Sequence, residues 1–106
     1  MSQIILVKFS FKKDSKQVWL DWTIELKSRQ DEVIETLKQE GVTMEACFIS
    51  KKGDEIYYLM EAADFDRVKQ MVSKSTHKID AEHREVREKS LNFVEKMECL
   101  FYFENK

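Results

Sequence analysis

The sequence has no proline and only two glycines among its 106 residues. Without proline, nothing covalent kinks or stops a helix. With so little glycine there is scant provision for turns, so long regular elements joined by short loops are expected. Gly41 and Gly53 should mark the places where the backbone needs a positive φ. Cysteine is equally scarce. Cys47 and Cys99 are the only two, and in a reducing compartment they are expected to be buried thiols. No run approaches the roughly 20 apolar residues of a membrane helix. The opening Ile4-Ile5-Leu6-Val7 is too short for a signal-peptide core and has no charged leader, so a cytoplasmic location is expected. Charge of one sign is missing too. The 18 basic and 20 acidic residues are interspersed and sum to −2. That leaves no nucleic-acid footprint and no patch to hold a membrane.

What remains is a folded composition, 42% hydrophobic and 36% charged, of a length for one domain spanning 1–106. Gln3 to Phe11 is dense in β-branched and aromatic residues and predicts strand one. Asp14, with Gln17 three residues on, reads as a capping box. A long helix follows to about Glu40, stopped by Gly41. Trp19, Trp22, Leu26, Val33 and Leu37 form its buried stripe, interrupted at Arg29 and Gln30. Glu25 and Arg29 stand four apart, the spacing of a solvated ion pair. Val42 to Lys51 predicts strand two, Lys52-Gly53-Asp54 a tight hairpin and Glu55 to Ala62 strand three. Asp64 caps a short helix with Phe65, Val68 and Val72 on one face. After a polar stretch, Asp80 caps a third helix to about Lys96, with His83, Val86, Ser90, Val94 and Met97 inward. Glu98 to Glu104 is expected as strand four.

This is an α+β fold of ferredoxin-like β-α-β-β-α-(α)-β order: a four-stranded antiparallel sheet with its helices on one face. Cys47 and Cys99 would then lie on opposite edge strands, about 14 Å apart, too far for a disulfide. The strands carry apolar residues on both faces. Ile4 and Leu6 oppose Ile5, Val7, Phe9 and Phe11. Val42, Met44, Ala46 and Phe48 oppose Cys47 and Ile49, and Leu100 and Tyr102 oppose Cys99, Phe101 and Phe103. One layer of helices covers one face. The other would leave a patch larger than the roughly 300–600 Å² of typical monomers. A homodimer about a two-fold axis hides it.

Four stretches carry a resemblance. They are Glu40-Gly41-Val42, Met44-Glu45-Ala46-Cys47-Phe48-Ile49, Tyr57-Tyr58-Leu59-Met60-Glu61-Ala62-Ala63-Asp64 and, most specific, Ser75-Thr76-His77-Lys78-Ile79-Asp80-Ala81-Glu82-His83-Arg84. Over nearly its whole length the chain resembles an uncharacterised bacterial family of the dimeric α/β-barrel superfamily. The resemblance implies a barrel-forming homodimer and no particular activity. That superfamily includes rhamnose mutarotases, cofactor-free and haem-degrading monooxygenases and muconolactone isomerases, with ligand pockets between sheet and helices. The first-helix histidine of the mutarotases falls near Gln30 here.

Both histidines of the chain lie in one cluster, His77, Asp80 and His83. A helix N-terminus disfavours imidazolium, so His83 should stay neutral and could serve as base or ligand. The plainer reading is that Asp80 caps, His83 packs at the core rim and His77 bonds the turn. As a metal set, a His-x5-His spacing across a turn matches no zinc motif. Glu45 and Glu61 stand in otherwise apolar strands, where a carboxylate can gain a raised pKa. More simply, each points to an edge or pairs with a lysine. Arg29 breaks a buried stripe, either at a polar pocket or by reaching out to water. Trp19 and Trp22 are either core mass or pocket wall.

The catalytic candidates are therefore His77, His83 and Glu45, and the ligand-binding candidates Trp22, Arg29, Tyr58 and Asp80. Neither metal nor cofactor is expected. The expected function is that of a homodimer binding a small organic molecule between sheet and helices. The alternative is a cofactor-free isomerase, mutarotase or monooxygenase using His/Glu acid–base chemistry.

Overall fold

The computed structural model describes residues 2–105. The β-rich stretches become strands β1 (Gln3–Phe11), β2 (Val42–Ile49), β3 (Glu55–Ala62) and β4 (Leu91–Lys96), and the periodic stretches become helices α1 (Lys16–Ser28), α2 (Gln30–Glu40), α3 (Phe65–Ser73) and α4 (Lys78–Ser90). The strands form one open sheet in the order β2-β3-β1-β4, with every neighbouring pair antiparallel. The fold is α+β, four antiparallel strands and four helices.

The expected element order is met with one helix more. The first helix is not continuous but breaks at Arg29, at φ −117° and ψ 36°. The Ser28 hydroxyl donates to the Glu25 carbonyl at 2.7 Å, and the Arg29 N–H turns back to the Leu26 carbonyl. Both tighten the last turn, so a stop arises without glycine or proline.

The end of the chain departs further from expectation. The helix expected to reach Lys96 stops at Ser90, and the fourth strand is Leu91–Lys96 rather than 98–104. Tertiary packing outweighs local pattern here. Ser90 is fully buried and its hydroxyl bonds the Val86 carbonyl at 2.6 Å. Leu91 pairs with Phe11 and enters the core. Phe93 pairs with Phe9, their rings edge to face at 6.3 Å. Val94 and Met97 fitted a helical stripe but sit on and beyond β4. Residues 97–105 carry no regular structure. Cys99 thus lies beyond the end of β4, in the hollow lined by Ile4, Leu6 and Leu59. Both cysteines are free and exposed, not buried.

Two expected caps also differ. Asp14 occupies a left-handed turn position, φ 59°. Ser15 stands at the helix start without a side-chain cap, and Gln17 bonds Asp21 instead of reaching back. α4 begins at Lys78 after His77, so Asp80 lies inside the first turn rather than capping it. Asp64 caps as expected, accepting the Asp66 N–H at 2.9 Å. Gly41 ends α2 at φ 83°, and Gly53 turns the β2–β3 hairpin at φ 75°.

The register puts Phe9, Ile56, Tyr58, Met60 and Ala62 on one face, where all four helices pack. One core cluster joins Trp19 and Trp22 of α1 to Ile56, Tyr58, Ile79 and Leu91. A smaller one joins Val42, Ala62 and Val68. A bulge between Val42 and Met44 rotates Val42 to this face, opposite Ala62, and away from Met44. The far face carries Ile4, Leu6 and Leu59, and there Met97, Leu100 and Phe101 help to line a hollow of about 200 Å³.

Candidate functional site

The two clusters leave a gap between them. A cavity of about 420 Å³ opens between the sheet and the helices α2 and α4. Its apolar wall includes Val7 and Phe9 from β1, Leu26 from α1 and Val33 and Leu37 from α2. Its polar groups include Glu40, Glu45, Tyr58, His77, Asp80, His83, Arg84 and Arg87. Strand alternation places Glu45 here, since it pairs with Met60 on the helix-facing side. Helical spacing places His83 and Arg87, four apart, on one side of α4.

A hydrogen-bonded chain crosses the cavity floor. The Trp22 indole N–H donates to His83 Nδ1 at 2.8 Å. His83 Nε2 lies 3.2 Å from the Tyr58 hydroxyl. Tyr58 donates to Glu45 Oε1 at 2.6 Å. The rings of Trp19, Trp22 and Tyr58 surround His83, their centroids 5.8–6.0 Å from it. Burial, and then the nearby Arg87 charge, lower the His83 pKa to about 4, with Asp80 opposing. The imidazole is therefore neutral at neutral pH. Burial raises Glu45, while the bond from Tyr58 opposes that; Asp80 raises it further and Arg87 lowers it. Burial and then Glu45 push Tyr58 well above an ordinary phenol.

Glu40 is the group that sequence reasoning missed. Burial, with Asp80 and Glu45 near by, pushes its pKa up to about 7. A signal was present: a carboxylate on the last residue of a helix faces the negative end of the dipole, a placement that stability alone disfavours. Arg87 was missed as well, although it lies one turn beyond His83.

The structure brings six of the seven candidates to one place. Glu45, Tyr58, His77, Asp80 and His83 line the cavity, and Trp22 touches it through His83. His77 contacts Gln39 of α2 through Nε2, and Asp80 accepts from the Ser75 hydroxyl. Arg29 lies elsewhere. Its guanidinium grips Glu32 at 2.8 and 2.9 Å and also meets Glu82 of α4, tying the α1–α2 junction to that helix. The expected Glu25 pairing is replaced by this clamp. Glu61 is on the far face and bonds Thr43 at 2.8 Å and Tyr102. The Trp19 N–H has no oxygen or nitrogen acceptor and is turned towards the Cys47 sulfur. Although the residue as a whole is exposed, desolvation of its sulfur on the helix-facing side opposite Tyr58 pushes that thiol up to about 11, and Trp19 partly offsets the rise.

Chemically, the cavity offers an apolar wall, a carboxylate that titrates near neutrality, a second buried carboxylate and a neutral imidazole. Such a set can hold a hydroxylated or charged small molecule, and it can pass a proton. Among the described residues, no three His, Cys, Asp or Glu side chains converge as a metal set. No helix is long and apolar enough to cross a membrane.

The profile of a family of unknown function (DUF6176) matches residues 2–105. No curated protein matches the chain. The chain belongs to that family, whose description names no activity.

Proposed function

We propose that this member of a family of unknown function is a small-molecule-binding protein, with its ligand held between the sheet and helices α2 and α4. One observation carries the reading. The cavity of about 420 Å³ has the size of a ligand site and combines apolar walls with a few convergent polar groups. Two of these, Glu40 and Glu45, have raised pKa values and form no ion pair among the described residues. A panel of sugars and small phenolic acids, scanned by thermal shift, tests it. A binding compound should raise the melting temperature, and Leu37→Trp, which fills the cavity, should abolish the effect. No shift with any compound, or an equal shift in the filled variant, removes the reading.

The working unit in this reading is a homodimer of ferredoxin-like subunits, the dimeric α/β-barrel arrangement. Exposed apolar groups support it. Phe48 is 54% exposed, Leu100 86%, Phe101 73% and Phe103 82%. A monomer gains nothing by wetting so many large side chains. Free thiols suit a reducing, cytoplasmic setting. Neither a nucleic acid nor a membrane is among the proposed partners.

A second reading, a cofactor-free isomerase, mutarotase or monooxygenase, is favoured by Glu40. A carboxyl near pKa 7 can both give and take a proton at neutral pH. Glu45 would be its counterpart and His83 a neutral base. Glu40→Gln separates the two readings. It should abolish turnover with little loss of affinity in an enzyme, and change affinity alone in a binding protein.

A further inference from the structure

An indole N–H can only donate a hydrogen bond. Trp22 Nε1 lies 2.8 Å from His83 Nδ1, so that nitrogen accepts and carries no proton. The neutral ring then holds its proton on Nε2, which donates to the Tyr58 oxygen 3.2 Å away. With that lone pair engaged, the Tyr58 proton points to Glu45 Oε1 at 2.6 Å. The chain runs in one direction only. If Glu45 donated to Tyr58, the Tyr58 oxygen would accept twice and its own proton would have no partner among the described residues. Among the described residues no second hydrogen bond engages the Glu45 side chain, which lines the cavity.

We infer that Trp22 is a positioning residue: by fixing the His83 tautomer it sets the polarity of the Tyr58–Glu45 pair. Glu45 Oε1 is thereby fixed as an acceptor, and with the carboxylate ionised the ligand brings a hydroxyl or ammonium donor to it. The ligand half rests on the cavity being a binding site; the tautomer half does not. Trp22 and His83 come from α1 and α4, and Tyr58 and Glu45 from β3 and β2. The arrangement therefore exists only in the folded chain. The charged and titratable groups facing it are Glu40 from α2, His77 from the turn before α4, and Lys78, Asp80, Arg84 and Arg87 from α4.

Long-range nitrogen–proton spectra of the labelled full chain test the first half. Wild type should show His83 Nδ1 bare and Nε2 protonated throughout pH 5.5 to 8. A protonated Nδ1, or two averaged nitrogens, overturns the inference. In Trp22→Phe the two nitrogen signals should move towards each other. An unchanged pair overturns it. Trp22 is nearly buried, so Tyr58→Phe supplies a milder probe. It should leave the tautomer alone while raising the Glu45 pKa, read from the carboxyl carbon. An unmoved Glu45 overturns the coupling.

For the ligand half, a free pyranose is compared with its permethylated ether, and an alkylammonium ion with the matching methyl ether. The ethers should bind about tenfold weaker or worse, the loss of one hydrogen bond to a charged group. Equal binding overturns the donor assignment. Binding by none of the four, with the imidazole spectra as expected, overturns the ligand half and the pocket reading together and leaves the role of Trp22 standing.

Discussion

Replacing His83 by glutamine should remove a rise in stability with pH on the acid side of the profile. His83 is held neutral by burial, with its pKa lowered to about 4 in the folded chain. In the unfolded chain an exposed histidine titrates near 6.5. Between those two values the unfolded state binds one proton that the folded state refuses. Stability must then rise with pH, by about 1.4 kcal/mol per pH unit. The contribution is fully present above pH 6.5 and is lost as pH falls towards 4. Over that window it amounts to about 3 kcal/mol. Glu40 works against it. Its raised pKa means that stability is lost as pH rises from its unfolded value towards about 7. The two slopes oppose each other in the wild-type profile, so the informative quantity is the difference between wild type and His83→Gln. Urea unfolding followed by the fluorescence of Trp19 and Trp22, from pH 4 to 7.5, measures it. The variant carries a constant penalty from the lost hydrogen bonds, which cancels in the pH dependence. The gap between the two proteins should widen by about 3 kcal/mol between pH 4 and 6.5. Parallel profiles would refute the claim that His83 stays uncharged in the fold.

Four further outcomes are expected. Glu40→Gln should remove the fall in stability between pH 4.5 and 7, so that this variant gains on wild type as pH rises; a constant difference in the same urea series would contradict the raised pKa. Ile56, almost wholly buried beneath Trp19, should cost about 3 kcal/mol when cut to alanine, read as a lower urea midpoint. Asp64→Ala should cost about 1 kcal/mol and Asp64→Ser much less, because serine also caps. Phe101→Asp with Phe103→Asp should convert a two-chain species into one of 12.7 kDa by light scattering; an unchanged mass would detach these residues from any dimer contact.

The sheet was legible where one rule acted alone. Gln3–Phe11 and Glu55–Ala62 fall where β-branched and aromatic density placed them, and Gly41 and Gly53 hold the positive φ expected of them. The C-terminal quarter was misread because two patterns overlap. His83, Val86, Ser90, Val94 and Met97 keep a helical spacing, yet Leu91-Asn92-Phe93-Val94 also reads as strand. Only the partner Phe11–Phe9 edge of β1 decides between them. The break at Arg29 was visible as an interrupted stripe, but its cause is local hydrogen bonding and a clamp to Glu82, more than fifty residues away. For the site, the cluster around His83 could be named from the sequence, since rare residue types stood together. Trp22 was named as a wall rather than as a hydrogen-bond donor. The difference depends on an interhelix distance that no spacing rule supplies.

The division of the first crossover has an evolutionary corollary. Because α1 stops at Ser28, the helix that holds Trp19 and Trp22 under the sheet is distinct from the one that lends Val33, Leu37 and Glu40 to the cavity. Substitutions in α2 can reshape the cavity while the tryptophan foundations stay as they are. On the small-molecule reading proposed above, kindred chains with differing α2 sequences would accept different guests on one scaffold, with the Trp22 tether to His83 carried along unaltered.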